Sequence, residues 1–334
     1  MQLHYTNFLV ISDDIKKMHI DQSKAHKDEI PSFITHSHSD HVVFSKQPTF
    51  ATKETISLIE ETSRKDKFNF SEINYNKKIK LNDNIDVTPL NAGHILGSCM
   101  FFIEDYKEGK TILYTGDFNS NDSLFMEGAK PVKADILITE STFGRPSFSF
   151  GNREDVCSSF SESIKKDIEE GNFVILGGYS LGKNQELIYL VNKYLEEVPI
   201  VDKDTYNFSQ AYERNGISLG NYAIMDHNLS KHNILILPMN LISRDLINSL
   251  AHQINKPISS YIATGWNYNR GSKIFHLSDH CDYPSLMKFV EDVSPKEVYT
   301  MHGFSMELAK SISTKFNINS KPIEYISQKG IFDF

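Results

Sequence analysis

Three features are scarce or missing in this sequence, and each absence excludes a class of protein. Cysteine occurs only three times in 334 residues, without a Cys-x-x-Cys pair, which disfavours a disulfide framework and a thiolate zinc finger. No apolar run is long enough to cross a membrane. The first residues also lack the basic flank and apolar core of a secretion signal. We therefore expect a soluble, cytoplasmic protein with no membrane segment.

Flexible linkers and an excess of basic residues are missing as well. No stretch is rich in proline, glycine and serine together, so the chain is expected to fold throughout, and its 334 residues predict about two domains. The formal net charge of −8 argues against broad, non-specific adhesion to nucleic acid, which needs a basic surface. It does not exclude a nuclease, because a bound metal pair carries about four positive charges that acidic ligands face.

The densest group of chemically active side chains lies in the stretch 33–41, Phe-Ile-Thr-His-Ser-His-Ser-Asp-His. It follows a short apolar run, which places it on the loop leaving a strand. In extended backbone His36, His38 and Asp40 would point the same way, and a turn would bring His41 to them. Imidazoles and a carboxylate suit zinc or a similar borderline metal. A surface loop that happens to be rich in histidine is the alternative interpretation.

Further histidine or acidic residues follow other predicted strands. Asp21 closes one strand where it can hydrogen-bond the histidine loop and orient its imidazoles, although a plain turn residue fits equally well. Five more histidine or acidic residues also follow predicted strands, and each of them would by itself be an ordinary turn or surface residue. Their shared position at strand ends favours a common site. They are His94, Asp117, Glu140, His280 and His302.

Strands and helices alternate regularly in the middle of the chain. Before this region we expect a helix over 52–65 and a hairpin of strands 101–104 and 111–115. The region starts at residue 146, and its first helix is expected to begin near Asn152 and to stop at Gly171. Later stretches repeat the strand–helix pattern. This alternation predicts a parallel α/β unit over residues 146–268. Its strands are expected at 173–176, 198–201, 222–225, 234–237 and 260–263, with a helix at 184–195.

A glycine-rich turn, Gly177–Lys183, links a strand to a helix inside this unit. Such a turn can place backbone N–H groups against a phosphate. It matches neither the dinucleotide-binding nor the P-loop spacing, so a tight turn without a ligand is at least as consistent with it.

Together these motifs resemble the β-CASP nuclease branch of the metallo-β-lactamase superfamily. Motifs of the whole superfamily are matched by His36-x-His38-x-Asp40-His41, by His94 in Ala-Gly-His-Ile-Leu-Gly-Ser and by Asp117 in Thr-Gly-Asp-Phe. Motifs confined to the branch are matched by Glu140, His280 and His302. The resemblance implies an α/β protein. Its αββα sandwich would comprise residues 1–145 and 269–334, interrupted by an inserted α/β β-CASP domain over residues 146–268.

The same resemblance implies two zinc ions, with manganese as an alternative. One ion would take His36, His38 and His94, the other Asp40, His41 and His302, and Asp117 and a hydroxide would bridge them. The catalytic set would be Asp40, Glu140 and His280: the hydroxide would attack phosphorus, and His280, held by Glu140, would protonate the leaving oxygen. Weaker candidates for substrate contacts are Ser278, Asp279, Arg145, Lys183 and Arg270, of which each cation is also consistent with a solvated surface residue.

The function implied is a zinc-dependent nuclease that hydrolyses phosphodiester bonds of single-stranded RNA or DNA. His302 resembles the third motif of RNA-processing members and favours RNA. A DNA exonuclease of the ligase-associated type is the main alternative, and endonuclease or exonuclease action stays open. A hydrolase of small esters or lactams is disfavoured by the inserted domain and by the Glu140/His280 pair. An inactive scaffold is disfavoured because all seven candidate ligands are present.

Overall fold

The computed structural model describes residues 2–5, 9–12, 17–21, 30–42, 48–62, 69–226, 229–267 and 271–326. It divides into two compact units. The first comprises Met1–Asp122, Glu127–Ser149 and His280–Phe334, and the second comprises Ser123–Met126 and Phe150–Asp279. The junctions therefore lie at 149/150 and 279/280, whereas the sequence suggested 145/146 and 268/269.

The first unit begins with a six-stranded sheet. Its strands pair in chain order, antiparallel from β1 to β3 and parallel from β3 to β6. The helix α1 (Lys53–Glu60) begins at Thr52, whose side chain accepts the Thr55 N–H. The strands are β1 (Gln2–Tyr5), β2 (Leu9–Ser12), β3 (Lys17–Ile20), β4 (Ser32–Phe33), β5 (Pro48–Thr52) and β6 (Asn69–Ile73).

A second sheet of the first unit starts with five strands in order, and the first four pair as antiparallel neighbours. The expected hairpin is confirmed by the antiparallel pairing of β9 with β10. The next strand, β11, lies parallel to β10. These strands are β7 (Ile79–Lys80), β8 (Ile85–Asn91), β9 (Cys99–Asp105), β10 (Lys110–Tyr114) and β11 (Ile136–Glu140).

The second unit is a six-stranded, wholly parallel sheet with the order β14-β13-β15-β12-β16-β17. The predicted strand–helix alternation is confirmed. The sheet extends beyond residue 268 because β17 pairs with β16. Its elements are α2 (Arg153–Glu169), β12 (Phe173–Gly178), α3 (Lys183–Leu190) continued by a π-helical turn Val191–Leu195, β13 (Ile200–Val201), α4 (Lys203–Arg214), β14 (Ala223–Ile224), β15 (Ile234–Pro238), α5 (Arg244–Ile254), β16 (Ile258–Ala263) and β17 (Lys273–Phe275).

After this unit the chain returns to the first one. It adds α6 (Tyr283–Val293), β18 (Glu297–Met301), α7 (Ser305–Phe316) and β19 (Asn319–Pro322). β18 pairs parallel to β11, and β19 pairs parallel to β18. Because β8 is antiparallel to β9 and β9 to β10, the strands β8, β10, β11 and β18 all run in one direction. Their carboxyl ends therefore meet at one edge of this sheet.

The two sheets of the first unit pack face to face. Phe33 of β4 stacks on Phe50 within its own sheet, with ring centroids 4.7 Å apart, and meets Phe101 of the second sheet edge-on at 5.5 Å. The outer face of the second sheet is covered by α6 and α7, and α1 packs beside the first sheet. The layers follow the order helix, sheet, sheet, helix, and this confirms the expected αββα sandwich.

Some element bounds differ from expectation. The helix predicted over 52–65 is α1, which ends at Glu60 and is followed by a turn at 61–62, and residues 63–65 lie outside the described chain. The N-cap at Asn152 is confirmed, since its side chain accepts the N–H groups of Glu154 and Asp155. Among the described residues we find no helix with the length and apolar character needed to span a membrane.

Candidate metal centre

The histidine loop leaves β4 and doubles back in a tight turn. The Ile34 N–H bonds to Phe50 of the neighbouring strand, and the His41 N–H bonds to the carbonyl of His38 at 3.1 Å. This turn is the one expected from the sequence. It leaves His36 and His41 buried, with His38 at the margin of the solvent.

Three imidazoles converge on one point. His36 Nε2 lies 3.1 Å from His38 Nδ1, and His94 Nε2 lies 3.2 Å from the same atom. His94 comes from the turn after β8, which Ser98 closes by accepting the N–H groups of His94 and Ile95. With Asp117 these three residues form a group whose donor atoms all lie within 4.8 Å of one another.

The spacing of these nitrogens fits a metal ion. Zinc–nitrogen bonds of about 2.0–2.1 Å place two ligand nitrogens about 3.3–3.4 Å apart at the tetrahedral angle and about 2.9 Å apart at a right angle. The observed separations of 3.1 and 3.2 Å fall between these values. Ring nitrogens packed so closely are a natural ligand set for a cation.

A second group lies beside the first and shares Asp117 with it. Asp117 Oδ2 is 3.7 Å from His36 Nε2 and 3.5 Å from His41 Nε2, so one carboxylate faces both groups. His302 completes the second group with His41 and Asp117. Asp40 lies at its margin, because its Oδ2 is 3.7 Å from His41 Nε2 while its side chain is 77% exposed.

A strained backbone conformation places His302 in this group. His302 adopts a left-handed conformation with φ of +60°, and the following Gly303 packs so closely that a Cβ there would lie 2.5 Å from the Ser141 carbonyl oxygen. The Ser141 hydroxyl bonds to the backbone carbonyls of Met301 and His302. Because a bulky residue at positive φ persists only when its surroundings fix it, Ser141 and Gly303 position His302.

Asp21 links the two sheets to the histidine loop. Its carboxylate accepts the Thr35 N–H and hydroxyl, both at 2.8 Å, and the Tyr114 hydroxyl at 3.2 Å. Its Oδ2 also lies 3.1 Å from His41 Nδ1. The expected contact between Asp21 and the histidine loop is therefore confirmed. A carboxylate in this position orients the imidazole and leaves Nε2 as its ligand atom.

Burial and neighbouring charges shift the pKa values of several side chains in the site. Burial and then the neighbouring imidazoles lower the pKa of His36 well below its ordinary value. Burial alone would lower the pKa of His41, but the carboxylates of Asp117 and Asp21 outweigh it and raise the pKa to about 10. Burial likewise opposes the ionisation of Asp117, yet His41 and the other imidazoles hold the pKa of that carboxyl far below its usual range. The neutral imidazole of His36 and the ionised carboxylate of Asp117 are the forms that bind metal, whereas His41 has to release a proton when it binds one.

Glu140 and the partly exposed His280 form a pair next to the imidazoles. His280 Nδ1 lies 2.8 and 3.0 Å from the two oxygens of Glu140, which is fully buried. The same carboxylate accepts the Phe118 N–H at 2.8 Å and the Thr142 N–H at 3.3 Å. The His280 ring centroid is 4.5 Å from that of His94. Glu140 thus commits Nδ1 of His280, and proton transfer at this ring would run through Nε2.

The weaker candidates have varied surroundings. Arg145 pairs with Glu307 and lies over the Phe304 ring at 3.9 Å, so its charge is partly used within the protein. The interpretation of Lys183 as a solvated surface cation is wrong, because its side chain is only 2% exposed and bonds to two carboxylates. The Ser278 carbonyl and the Asp279 carboxylate are bonded to side chains of the same unit. Arg270 lies outside the described residues.

Several supporting residues carried little signal in the sequence. Thr35, Tyr114 and Ser141 lie in ordinary strand or turn sequences, and their roles depend on contacts made across the fold. A hydroxyl-bearing residue directly before the first histidine was the one available hint, because ligating imidazoles usually bond to a second partner.

Two segments of the chain match known families. Residues 37–147 match the family described as "Metallo-beta-lactamase superfamily domain". Residues 272–321 match the family described as "Zn-dependent metallo-hydrolase RNA specificity domain". The first segment holds most of the candidate ligands, and the second holds His280 and His302.

Curated relatives share these regions. Over 297 residues the chain is 30% identical to a probable DNA ligase of Opitutus terrae, an alignment that covers 86% of this chain and 28% of that protein. Over 194 residues it is 30% identical to an RNase J-like protein of Methanocaldococcus jannaschii, covering 52% of this chain and 46% of the relative. The matches therefore span less than half of either relative.

A solved structure of a protein of unknown function from Enterococcus faecalis V583 has the same fold. It matches with a TM-score of 0.63, covering 94% of this chain and 93% of that chain at 14% sequence identity. The matched families, the curated relatives and the αββα sandwich agree with the motifs of the sequence: residues 37–147 are a metallo-β-lactamase superfamily domain, and the chain as a whole resembles the β-CASP branch of that superfamily.

Proposed function

We propose that this protein is a metal-dependent nuclease that hydrolyses phosphodiester bonds, with RNA as its substrate. The observation that carries the proposal is the convergence of the imidazoles and Asp117 beside the Glu140–His280 pair. A cluster of metal ligands next to a histidine held by a carboxylate fits metal-assisted hydrolysis in which a leaving oxygen needs a proton. The matched RNA specificity domain and the RNase J-like relative support RNA.

The residues of the first unit would hold two metal ions, zinc by preference and manganese as the alternative. His36, His38 and His94 would hold one ion, and His41, His302 and Asp40 the other. Asp117 would serve both, since its carboxylate lies within 3.7 Å of His36 and His41. When bound, a metal pair supplies a nucleophilic oxygen at neutral pH and neutralises charge on the phosphate.

The protein's own contribution is orientation and proton transfer. The Thr35 hydroxyl donates to Asp21, so His36 Nδ1 donates to Thr35 and keeps its Nε2 unprotonated for a metal. Asp21 Oδ2 lies 3.1 Å from His41 Nδ1, and this charge contact would orient the His41 ring. Glu140, itself anchored by two backbone N–H groups, holds Nδ1 of His280 so that Nε2 delivers a proton to the leaving oxygen.

The second unit is proposed as the β-CASP domain of this enzyme. Its parallel sheet interrupts the sequence of the first unit between Ser149 and His280. A hydrolase of small esters or lactams would have no evident use for an insertion of this size.

A decisive test is to incubate the protein with end-labelled RNA and DNA of the same sequence, with added Zn²⁺ or Mn²⁺ or with chelator, and to size the products. We expect metal-dependent cleavage of RNA. Faster cleavage of DNA would favour the second candidate, a DNA exonuclease, for which the similarity to a probable DNA ligase is the specific observation. Turnover of a thioester or lactam without cleavage of either nucleic acid would contradict the nuclease proposal.

The variant His280→Ala tests the proton donor. We expect it to keep its fold and metal but to lose about 10²–10⁴-fold in cleavage rate, because that is the usual contribution of general acid–base catalysis. The matched control is His252→Ala, since His252 is exposed on α5 of the other unit. An unchanged rate in His280→Ala would remove this residue from the mechanism.

A further inference from the structure

A buried cluster of four charged side chains lies in the second unit. Lys183 Nζ is 2.6 Å from Glu186 Oε2 and 2.6 Å from Asp279 Oδ1. The side chains of these three residues are 2%, 3% and 11% exposed, respectively. Arg153 joins them by donating to both oxygens of Glu186, at 2.5 and 2.6 Å. Two cations thus face two carboxylates, so the cluster is neutral.

Each cation also contacts the short segment that leads to His280. Lys183 binds the Asp279 side chain, and Arg153 donates to the backbone carbonyl of Ser278 at 2.8 Å. Asp279 is directly followed by His280 in the chain. The two residues before the proposed proton donor are therefore held by two cations from two different helices, α2 and α3.

The local sequence is built to bury this lysine. Lys183 is the first residue of α3, and Gly178 of β12 packs against it, because a Cβ at Gly178 would lie 2.5 Å from Lys183 Cγ. Gln185 bonds the Gly182 N–H, which closes the glycine-rich turn with protein groups. The Gly182 N–H is thus used within the protein, and Lys183 at the end of the turn bonds to carboxylates of the same unit, so neither group favours the phosphate-binding interpretation.

The charges of the cluster reinforce one another. Burial would raise the pKa of Glu186, but Arg153 and Lys183 outweigh burial and lower it to about 2. Burial alone would lower the pKa of the Arg153 guanidinium, but Glu186 outweighs burial and raises it. A carboxylate between two cations keeps both in place, and this arrangement fixes the direction in which Lys183 reaches Asp279.

We propose that Lys183 and Arg153 are positioning residues for His280, a role that rests on the proposed nuclease function. They clamp the Ser278–Asp279 segment by its carbonyl and its carboxylate. By holding the two preceding residues, this clamp fixes the backbone position at which His280 begins, while Glu140 fixes the orientation of its ring. On the other side of His280 the Cys281 N–H donates to the Phe118 carbonyl at 3.1 Å, so the chain is held both before and after the proposed proton donor.

The test separates proton delivery from folding by changing the leaving group. Cleavage of RNA expels a poor leaving oxygen that needs a proton, whereas bis(4-nitrophenyl) phosphate expels 4-nitrophenolate, which leaves without one. In the variant Lys183→Met we expect kcat on RNA to fall by at least about tenfold, as part of the 10²–10⁴-fold that a general acid provides. We expect the rate on bis(4-nitrophenyl) phosphate and the metal content to stay within about twofold of wild type, the same pattern as in His280→Ala.

Lys166→Met is the matched control, because Lys166 is a largely exposed lysine on α2 of the same unit. It should leave both rates unchanged. An equal loss on both substrates in Lys183→Met would overturn the positioning role and indicate a structural one.

Asp279→Asn provides a second test that keeps the shape of the segment. It should shift the ratio of the two rates in the same direction as Lys183→Met, and an unchanged ratio would overturn the proposal. Wild-type protein that cleaves neither RNA nor DNA would overturn the nuclease function itself. A wild-type nuclease whose variants lose both activities equally would overturn only the positioning role.

Discussion

Three histidines of the first unit each place Nδ1 against an oxygen of a neighbouring side chain. His36 Nδ1 lies 3.0 Å from the Thr35 hydroxyl, His41 Nδ1 faces Asp21, and His280 Nδ1 faces Glu140. In each case this contact orients the ring, and we expect the opposite nitrogen to bind a metal in His36 and His41 and to deliver a proton in His280.

Asp21 offers the clearest residue-scale prediction. Asp21→Asn keeps the size of the side chain but removes the charge that orients His41, so we expect metal affinity to fall about 10–100-fold with the fold intact. Competition with a chelator of known affinity measures the change. Asp83→Asn, at a side chain that is 92% exposed, is the control. Unchanged affinity in Asp21→Asn would show that Asp21 supports only the packing of the two sheets.

The variants Asp117→Asn and His280→Ala should separate a loss of bound metal from a loss of catalytic rate. Asp117→Asn is expected to deplete bound metal, because its charge faces both groups of imidazoles, whereas His280→Ala should keep its metal. Metal analysis of the purified variants gives the stoichiometry directly. Asp245→Asn, at an exposed position in α5, is the control. Full occupancy in Asp117→Asn would contradict the shared ligand.

Residues that bear chemistry were far easier to predict from the sequence than residues that support them. His94 and Asp117 stand out because histidine and aspartate at strand ends are unusual in combination. Thr35 and Tyr114 do not, because hydroxyl and aromatic residues are common in strands and their bond to Asp21 appears only once the two sheets pack together.

At the scale of elements, the site depends on strands that end together. β8, β10, β11 and β18 run in one direction, so the residues that follow them reach the same edge of the sheet. The turns at this edge must be tight to bring His94 and Asp117 beside the loop that follows β4. Glycines before both residues, Gly93 and Gly116, supply the positive φ angles.

A substitution at Gly93 tests the requirement for glycine in these tight turns, and the same substitution at Gly109 is the control. Gly93 and Gly109 have nearly equal φ angles of +65° and +61°, but a Cβ at Gly93 would lie 2.5 Å from the Asn119 carbonyl oxygen, whereas nothing lies within 4 Å at Gly109. Gly109→Ala should cost only the left-handed backbone term, about 1 kcal/mol. Gly93→Ala should cost clearly more and should also weaken metal binding, because its clash displaces His94.

Denaturant unfolding of the two glycine variants measures both costs. An equal loss of stability in the two would mean that the backbone near His94 adjusts freely around the new side chain.

The long, regular elements were predictable and the short ones were not. Periodicity located α2 with its cap at Asn152, the hairpin of β9 and β10, and the strands β12, β15 and β16. Strands of two residues, such as β4, β7 and β14, are too short to show an alternating pattern, and their pairing is decided by neighbouring strands. The π-helical turn at the end of α3 could not be predicted either, because its sequence has the pattern of a continuous α-helix.

The whole molecule consists of two units with different connectivity. The sheet of the second unit comes from one continuous segment, whereas the sandwich of the first is built from residues on both sides of it. Composition and periodicity predicted an α/β unit in the middle of the chain. The αββα sandwich followed only from the resemblance, since the strand pattern alone does not say how two sheets stack.

Metal removal should affect the two units differently. Metal bound by the native state stabilises it by RT ln(1 + [L]/Kd), about 2.7 kcal/mol at a free concentration of 100 Kd. We expect chelation to lower the melting temperature and to raise amide hydrogen exchange around residues 34–42 and 92–98, while β12, β15 and β16 stay protected. Readdition of Zn²⁺ should restore the protection. Equal loss of protection in both units would contradict a metal site confined to the first unit.

The split origin of the ligands also sets an order of events during synthesis on the ribosome. The loop of His36 and His41 is translated early, but its partner His302 emerges only after the entire parallel sheet of the second unit has left the exit tunnel. The nascent chain can therefore finish a self-contained sheet while its metal ligands are still incomplete.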